Sequence, residues 1–150
     1  MRISRLCERA GIEFPDGADD AEVNAFAIDH RKVAPGTVFG AFQGYTVNGE
    51  DFIPRAIESG AIGVIARPEA KVEGALHFAD DKPRRLFARL AGAFFRPFPE
   101  TIVAVTGTNG KTSTAEMTRQ LWRMAGERAA SIGTLGVTTS DESVSTGLTT

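Results

Sequence analysis

One short run combines an ammonium, several hydroxyls and two glycines: Thr106-Gly107-Thr108-Asn109-Gly110-Lys111-Thr112-Ser113. It follows the apolar stretch Thr101 to Val105 and opens a segment of helical character from Ala115 to Ala125. Strand, glycine-rich turn and helix N-terminus in that order make an anion cradle. Backbone N–H groups turn inward, and the helix dipole adds partial positive charge. Lys111 reaches the outer phosphates of a nucleotide and the Thr112 hydroxyl is the candidate Mg²⁺ ligand. The amides of Gly107, Thr108, Asn109, Gly110, Lys111, Thr112 and Ser113 would cradle the phosphates. The general P-loop pattern needs a glycine five places before the Gly-Lys pair. Val105 stands there, so this is a tighter turn, with Asn109 between the glycines as a residue that tolerates left-handed backbone angles. The bland alternative is an ordinary strand-to-helix turn with a solvated lysine.

The elements around the loop have to hold it. Met117, Leu121, Met124 and Ala125 fall at helical spacing, which predicts an apolar stripe packed on a sheet. Arg119, Gln120 and Arg123 lie off the stripe and are expected to face water, and Gly126 is the expected stop. Ala129 to Gly133 reads as a strand, and Gly136 to Thr150 as a hairpin.

Before the loop, Asn24 to Asp29 and Thr37 to Phe42 read as strands, separated by the Asp29-His30-Arg31 cluster and a Pro35-Gly36 turn. Phe52 to Ser59 is a short helix with Pro54 in its first turn. Ala61 to Ala66 and Ala75 to Ala79 are further strands. Lys82 to Phe95 is a helix, with Leu86, Leu90 and Phe94 repeating at four. Arg96-Pro97-Phe98-Pro99-Glu100 ends that helix and marks a boundary. The expected fold class is α/β: a small N-terminal α/β domain over residues 1–98, then the start of a P-loop-type parallel-sheet ATP-binding domain over 99–150. A doubly wound fold needs several crossover units of about thirty residues. The second domain is therefore expected to be incomplete and the chain to be the front of a longer protein.

Composition narrows the class. With 42% hydrophobic residues and a formal charge of −2 over 150 residues, the chain reads as a globular protein without a polyanion-binding surface. Its one cysteine, Cys7, cannot form an internal disulfide, and a buried thiol is expected in preference to a nucleophile. The first residues lack the apolar core of a signal peptide and suggest a short amphipathic helix. No stretch reaches membrane-spanning length. A soluble cytoplasmic monomer is expected, with small-molecule ligands and neither nucleic acid nor membrane as partner.

The loop from Thr106 to Ser113 resembles the ATP loop of the Mur ligases, the amide ligases of peptidoglycan precursor synthesis. Folylpolyglutamate and cyanophycin synthetases carry similar loops. The segment from Asp29 through Arg31, Val33, Pro35-Gly36, Phe39 and Ala41 to Gly44, with Asn48-Gly49 and Phe52 after it, resembles the first domain of the Mur ligases that add the third amino acid to UDP-MurNAc-L-Ala-D-Glu. Ile132-Gly133-Thr134-Leu135-Gly136 and Leu148-Thr149-Thr150 extend that likeness.

The resemblance implies ATP and Mg²⁺ as cofactors, with Lys111 and Thr112 as the catalytic pair and Thr112 on the metal. It implies substrate contacts at Ile28, His30, Tyr45, Thr46 and Val47 for the uridine end, and at Thr149 and Thr150 for the diphosphate and peptide. The family carries serine where His30 stands. A solvated turn histidine and a base-contacting one are both open, as are edge-strand roles for the two terminal threonines. The implied reaction is ATP-dependent addition of meso-diaminopimelate or L-lysine through an acyl phosphate, in the complete protein, the 150-residue piece alone being expected inactive. The rival readings are a non-catalytic nucleotide- or UDP-sugar-binding module, and a related cyanophycin- or folylpolyglutamate-type ligase.

Overall fold

The computed structural model describes residues 1–15 and 18–145. It divides into two compact units, Met1–Phe98 and Pro99–Thr150.

In the first unit, α1 (Ile3–Ala10) precedes four parallel strands, β1 (Ala25–Ala27), β2 (Thr37–Gly40), β3 (Ala61–Ala66) and β4 (Leu76–Ala79). They lie side by side in chain order. α2 (Ile53–Glu58) joins β2 to β3, and α3 (Pro83–Phe94) follows β4. Parallel strands covered on both faces read as largely apolar runs, and β2 and β3 do, with Thr37 the one polar side chain in them. Alternation sorts their side chains between two cores. Val38 and Ile65 meet Leu6 and Cys7 of α1 and Leu86 and Leu90 of α3. Phe39, Val64 and Ala66 meet Ile53 and Ala56 of α2. The stripe read on α3 thus finds its sheet.

Turn chemistry fixes the connections. Gly60 ends α2 at φ +101°, and a Cβ there would lie 2.7 Å from the Cα of Pro35. Only glycine lets these two crossovers approach so closely. Thr37 is fully buried, and its hydroxyl accepts from the Ala34 N–H at 3.1 Å. Cys7 is buried as expected, and burial, with Asp20 adding to it, raises its thiol pKa. His77 sits on β4 with a buried Nε2 that has no partner among the described residues. No helix of the described residues is long and apolar enough to cross a membrane.

The second unit contains α4 (Lys111–Met124) and an antiparallel meander of β5 (Ser131–Gly133), β6 (Gly136–Thr138) and β7 (Ser143–Val144). Two expectations are corrected here. Thr101 to Val105 joins no ladder among the described residues, because a strand exists only where a neighbour accepts its hydrogen bonds. The apolar stripe of α4 stands open, with Met117, Leu121 and Met124 between 63% and 83% exposed. The opposite, polar face is the one that packs. Arg119, expected in water, is 7% exposed and pairs with Glu116.

Candidate functional site

Gly107 has φ +145° and Gly110, the residue capping α4, has φ +78°. Both angles lie where side chains are strained, which accounts for the glycines at these two places. A Cβ at Gly110 would meet nothing within 4 Å, so the space beside the loop is open. Residues 107 to 113 donate no backbone hydrogen bond to an acceptor among the described residues. Those of Lys111, Thr112 and Ser113 begin a 14-residue helix, so they are orphan donors at its positive end.

Lys111 folds back over this loop, its Nζ donating to the Gly107 carbonyl at 2.9 Å. The ammonium is therefore held at the loop's mouth with two of its three protons uncommitted. The Thr112 hydroxyl lies 2.9 Å from that of Thr134 in the β5–β6 turn. Main-chain donors, one cation and one hydroxyl suit a polyphosphate with its counter-cation, and the donor set fits Mg²⁺ through a hard oxygen ligand.

Behind the loop, Glu116 accepts from Arg119 Nε at 2.9 Å, from Ser131 Oγ at 3.1 Å and from Gln120 at 3.3 Å. These donors, Arg119 first, lower its pKa from 4.5 to about 2. The carboxylate stabilises the fold fully above pH 4.5, and that contribution disappears as pH falls toward 2. A thermal melt followed by Trp122 fluorescence should lose stability across this window, and Glu116→Gln should flatten that part of the profile. An unchanged slope in the variant would remove Glu116 from the account.

The second cluster lies at the carboxyl end of the parallel sheet, where open α/β sheets bind ligands. β1 delivers Ile28, 65% exposed, and then a 3-10 turn from His30 to Lys32. Asp29 caps that turn, accepting the Arg31 N–H at 3.0 Å and the Arg31 guanidinium at 2.8 Å. These hydrogen bonds hold the Asp29 carboxyl well below the usual range. His30 stacks on Phe52, with centroids 4.3 Å apart and rings 3° from parallel. This contact links the end of β1 to the segment after β2.

That segment carries Tyr45, Thr46 and Val47 on a turn closed by the Gly44 N–H donating to Val47 at 2.9 Å. Tyr45 and Val47 are exposed. Arg67, just after β3, grips Glu50 with two hydrogen bonds of 2.8 and 2.7 Å. Those bonds also lower the Glu50 pKa. Ile28, His30 and the 45–47 turn therefore share one end of one sheet, buttressed by Phe52 and the Glu50–Arg67 pair. Sequence reading missed all three buttresses. The Asn48-Gly49-Glu50-Asp51-Phe52 run was its only local hint. Thr149 and Thr150 lie outside the described residues.

The family model "Mur ligase family, catalytic domain" matches residues 22–119, and "Mur ligase middle domain" matches 105–150. A UDP-N-acetylmuramoyl-L-alanyl-D-glutamate--2,6-diaminopimelate ligase of Zymomonas mobilis is 59% identical over 131 residues, 87% of this chain and 27% of the relative. One of the same name from Rhizobium meliloti is 41% identical over 141 residues, 89% of this chain and 29% of the relative. A solved structure of a ligase with that name superposes with TM-score 0.68 at 27% identity, covering 96% of this chain and 30% of that one. A MurF ligase from Thermotoga maritima in complex with ADP gives 0.57 at 32% identity, covering 68% and 24%. The chain thus spans under a third of the length of these relatives. With a glycine-rich loop opening a helix in one unit, an open sheet end in the other and family matches across both, the chain belongs to the Mur ligase family.

Proposed function

We propose that these residues form the UDP-substrate-binding part and the ATP loop of a ligase adding the third amino acid to UDP-MurNAc-L-Ala-D-Glu in the cytoplasm. The observation that carries this reading is the run of unpartnered amides from Gly107 to Ser113 with Lys111 folded over them. The 59% identity to a diaminopimelate ligase favours diaminopimelate over lysine as the added residue. It also disfavours the cyanophycin-type alternative.

The chemistry follows from charge. An oxygen of the D-Glu γ-carboxylate attacks the γ-phosphorus of ATP, and ADP leaves with the bridging oxygen. The amine of the incoming amino acid then attacks the acyl carbon, and phosphate leaves with the electron pair of the broken bond. Both steps need alignment and anion stabilisation more than a protein nucleophile. Lys111 balances charge on the transferred oxygens, and the amides of residues 107 to 113 hold the others. Thr112 would hold Mg²⁺, which when bound supplies further neutralisation of the phosphates. Thr149 and Thr150 are assigned to the diphosphate end of the substrate.

Ile28, His30, Tyr45, Thr46 and Val47 take the uridine. The imidazole of His30 offers an edge for one hydrogen bond to a base, and its stacking on Phe52 fixes the plane of that edge. Calorimetric titration of the chain with UDP-MurNAc-L-Ala-D-Glu tests this half of the reading. His30→Ala should weaken binding about five- to twentyfold, the equivalent of one hydrogen bond and its ordering, and His30→Ser should recover part of the loss. Unaltered affinity in both variants would place the base elsewhere. Failure of the unsubstituted chain to bind the uridine ligand in preference to ATP would favour a plain nucleotide module.

A further inference from the structure

The hydroxyl contact between Thr112 and Thr134 has a direction that matters. A hydroxyl has one proton and two lone pairs. If its proton goes to a neighbouring acceptor, a lone pair is left aimed away from that neighbour and free for a cation. Thr134 Oγ1, 2.9 Å from Thr112 Oγ1, can serve as such an acceptor, since either hydroxyl of the pair can donate.

Thr134 is also held where an orienting group needs to be held. It occupies the two-residue turn between β5 and β6, with Gly133 and Gly136 paired on either side. Gly136 has φ +94°, and a Cβ there would lie 2.8 Å from the Cα of Ser145, so the meander closes tightly behind the turn. Thr112, Glu116 and Arg119 fall at i, i+4 and i+7, on one face of α4. Each has a partner in the meander: Thr134 for Thr112, Ser131 Oγ for Glu116 at 3.1 Å, and the Thr139 carbonyl for Arg119 at 3.5 Å. The hairpin is therefore docked at three points on the helix that begins at the loop, and its tip rests on the hydroxyl at the first turn.

We infer that Thr134 is a positioning residue that accepts the Thr112 proton and thereby presents a Thr112 lone pair to the cation accompanying a bound nucleotide. This rests on the reading of Thr112 as the cation-holding hydroxyl. The test uses a full-length ligase carrying these 150 residues and titrates a fluorescent ATP analogue at a series of Mg²⁺ concentrations and in EDTA. Thr134→Val, which keeps shape and removes the acceptor, should raise the Mg²⁺ concentration needed for tight binding about tenfold or more, the range seen for groups that orient metal ligands. Binding in EDTA should stay as in the parent, and Thr134→Ser should restore the Mg²⁺ response. Thermal melts without ligand check the hairpin, and Thr134→Ala serves where valine crowds the turn.

A parental Mg²⁺ response in Thr134→Val overturns the inference, and so does an equal loss with and without Mg²⁺, which marks a merely structural role. Thr112→Val separates the two levels. If it keeps the parental response, the assignment of Thr112 fails and the inference with it. If it loses the response while Thr134→Val does not, only the role of Thr134 falls.

Discussion

Replacing Lys111 by alanine should reduce ATP-dependent ligation in a full-length ligase carrying this chain by at least about 10²- to 10³-fold, the loss typical of removing one preorganised charge-stabilising donor. Lys111 is the one cation seen on the loop, and its Nζ is already drawn over it by the Gly107 carbonyl at 2.9 Å. Little reorganisation separates this pose from one on a phosphate. The substitution removes the ammonium and leaves the main-chain donors, so weak nucleotide binding should persist while turnover collapses. Binding of UDP-MurNAc-L-Ala-D-Glu should stay near that of the parent, since its proposed uridine contacts lie in the first unit. Steady-state turnover with a coupled phosphate assay, beside calorimetry with the uridine ligand, reads both arms. Near-normal turnover would reject the phosphate role of Lys111. Equal loss of uridine-ligand affinity would indicate general damage instead.

Phe39→Ala should be the most damaging single change in the first unit, costing about 3–5 kcal/mol of stability. Phe39 is 1% exposed on β2, inside the cluster that includes Ile53, Ala56 and Val64. Truncation there leaves a cavity between a strand held on both sides by neighbours and a helix of only six residues. The effect should reach the proposed substrate site, because β2 leads directly into the turn bearing Tyr45, Thr46 and Val47. Urea denaturation followed by far-UV circular dichroism measures the loss. The signal must come from the backbone, since the single tryptophan, Trp122, lies in the second unit. A midpoint shifted by less than the equivalent of about 0.5 kcal/mol, as for an ordinary surface change, would contradict the packing described.

Where a segment's neighbours are close in the chain or its pattern is self-sufficient, the sequence reading matched the structure. The repeat of Leu86, Leu90 and Phe94 finds the sheet it needs, and the apolar runs of β2 and β3 are strands. The turn at Gly60 and the stop at Gly126 sit at positive φ, +101° and +88°. The stripe on α4 was misread for a definite reason. Hydrophobic periodicity says which face would gain from burial, and it says nothing about what these residues supply to cover it. Arg119 was placed in water by the same logic, although a partner three residues earlier and a hairpin twenty residues later enclose it.

The buttresses of the candidate sites escaped because each joins positions far apart in the chain. His30 and Phe52, Glu50 and Arg67, and Thr112 and Thr134 are pairs separated by 17 to 22 residues. No local pattern links the two members of a pair. The conformation of the loop was readable because it rests on backbone requirements, glycine at two positive-φ positions and a helix start, which are local by nature.

The proposed recognition through main-chain N–H groups carries a consequence for heritable variation. A substitution at Thr108 or Ser113 changes a side chain and leaves the amide in place, so drift there should be tolerated unless proline removes the donor. Gly107 and Gly110 have no such latitude, because their dihedral angles are themselves the requirement. Apart from Lys111 and Thr112, whose side chains carry proposed roles, random mutagenesis of this stretch should therefore return a comb of permissive and forbidden codons, its teeth set by backbone geometry.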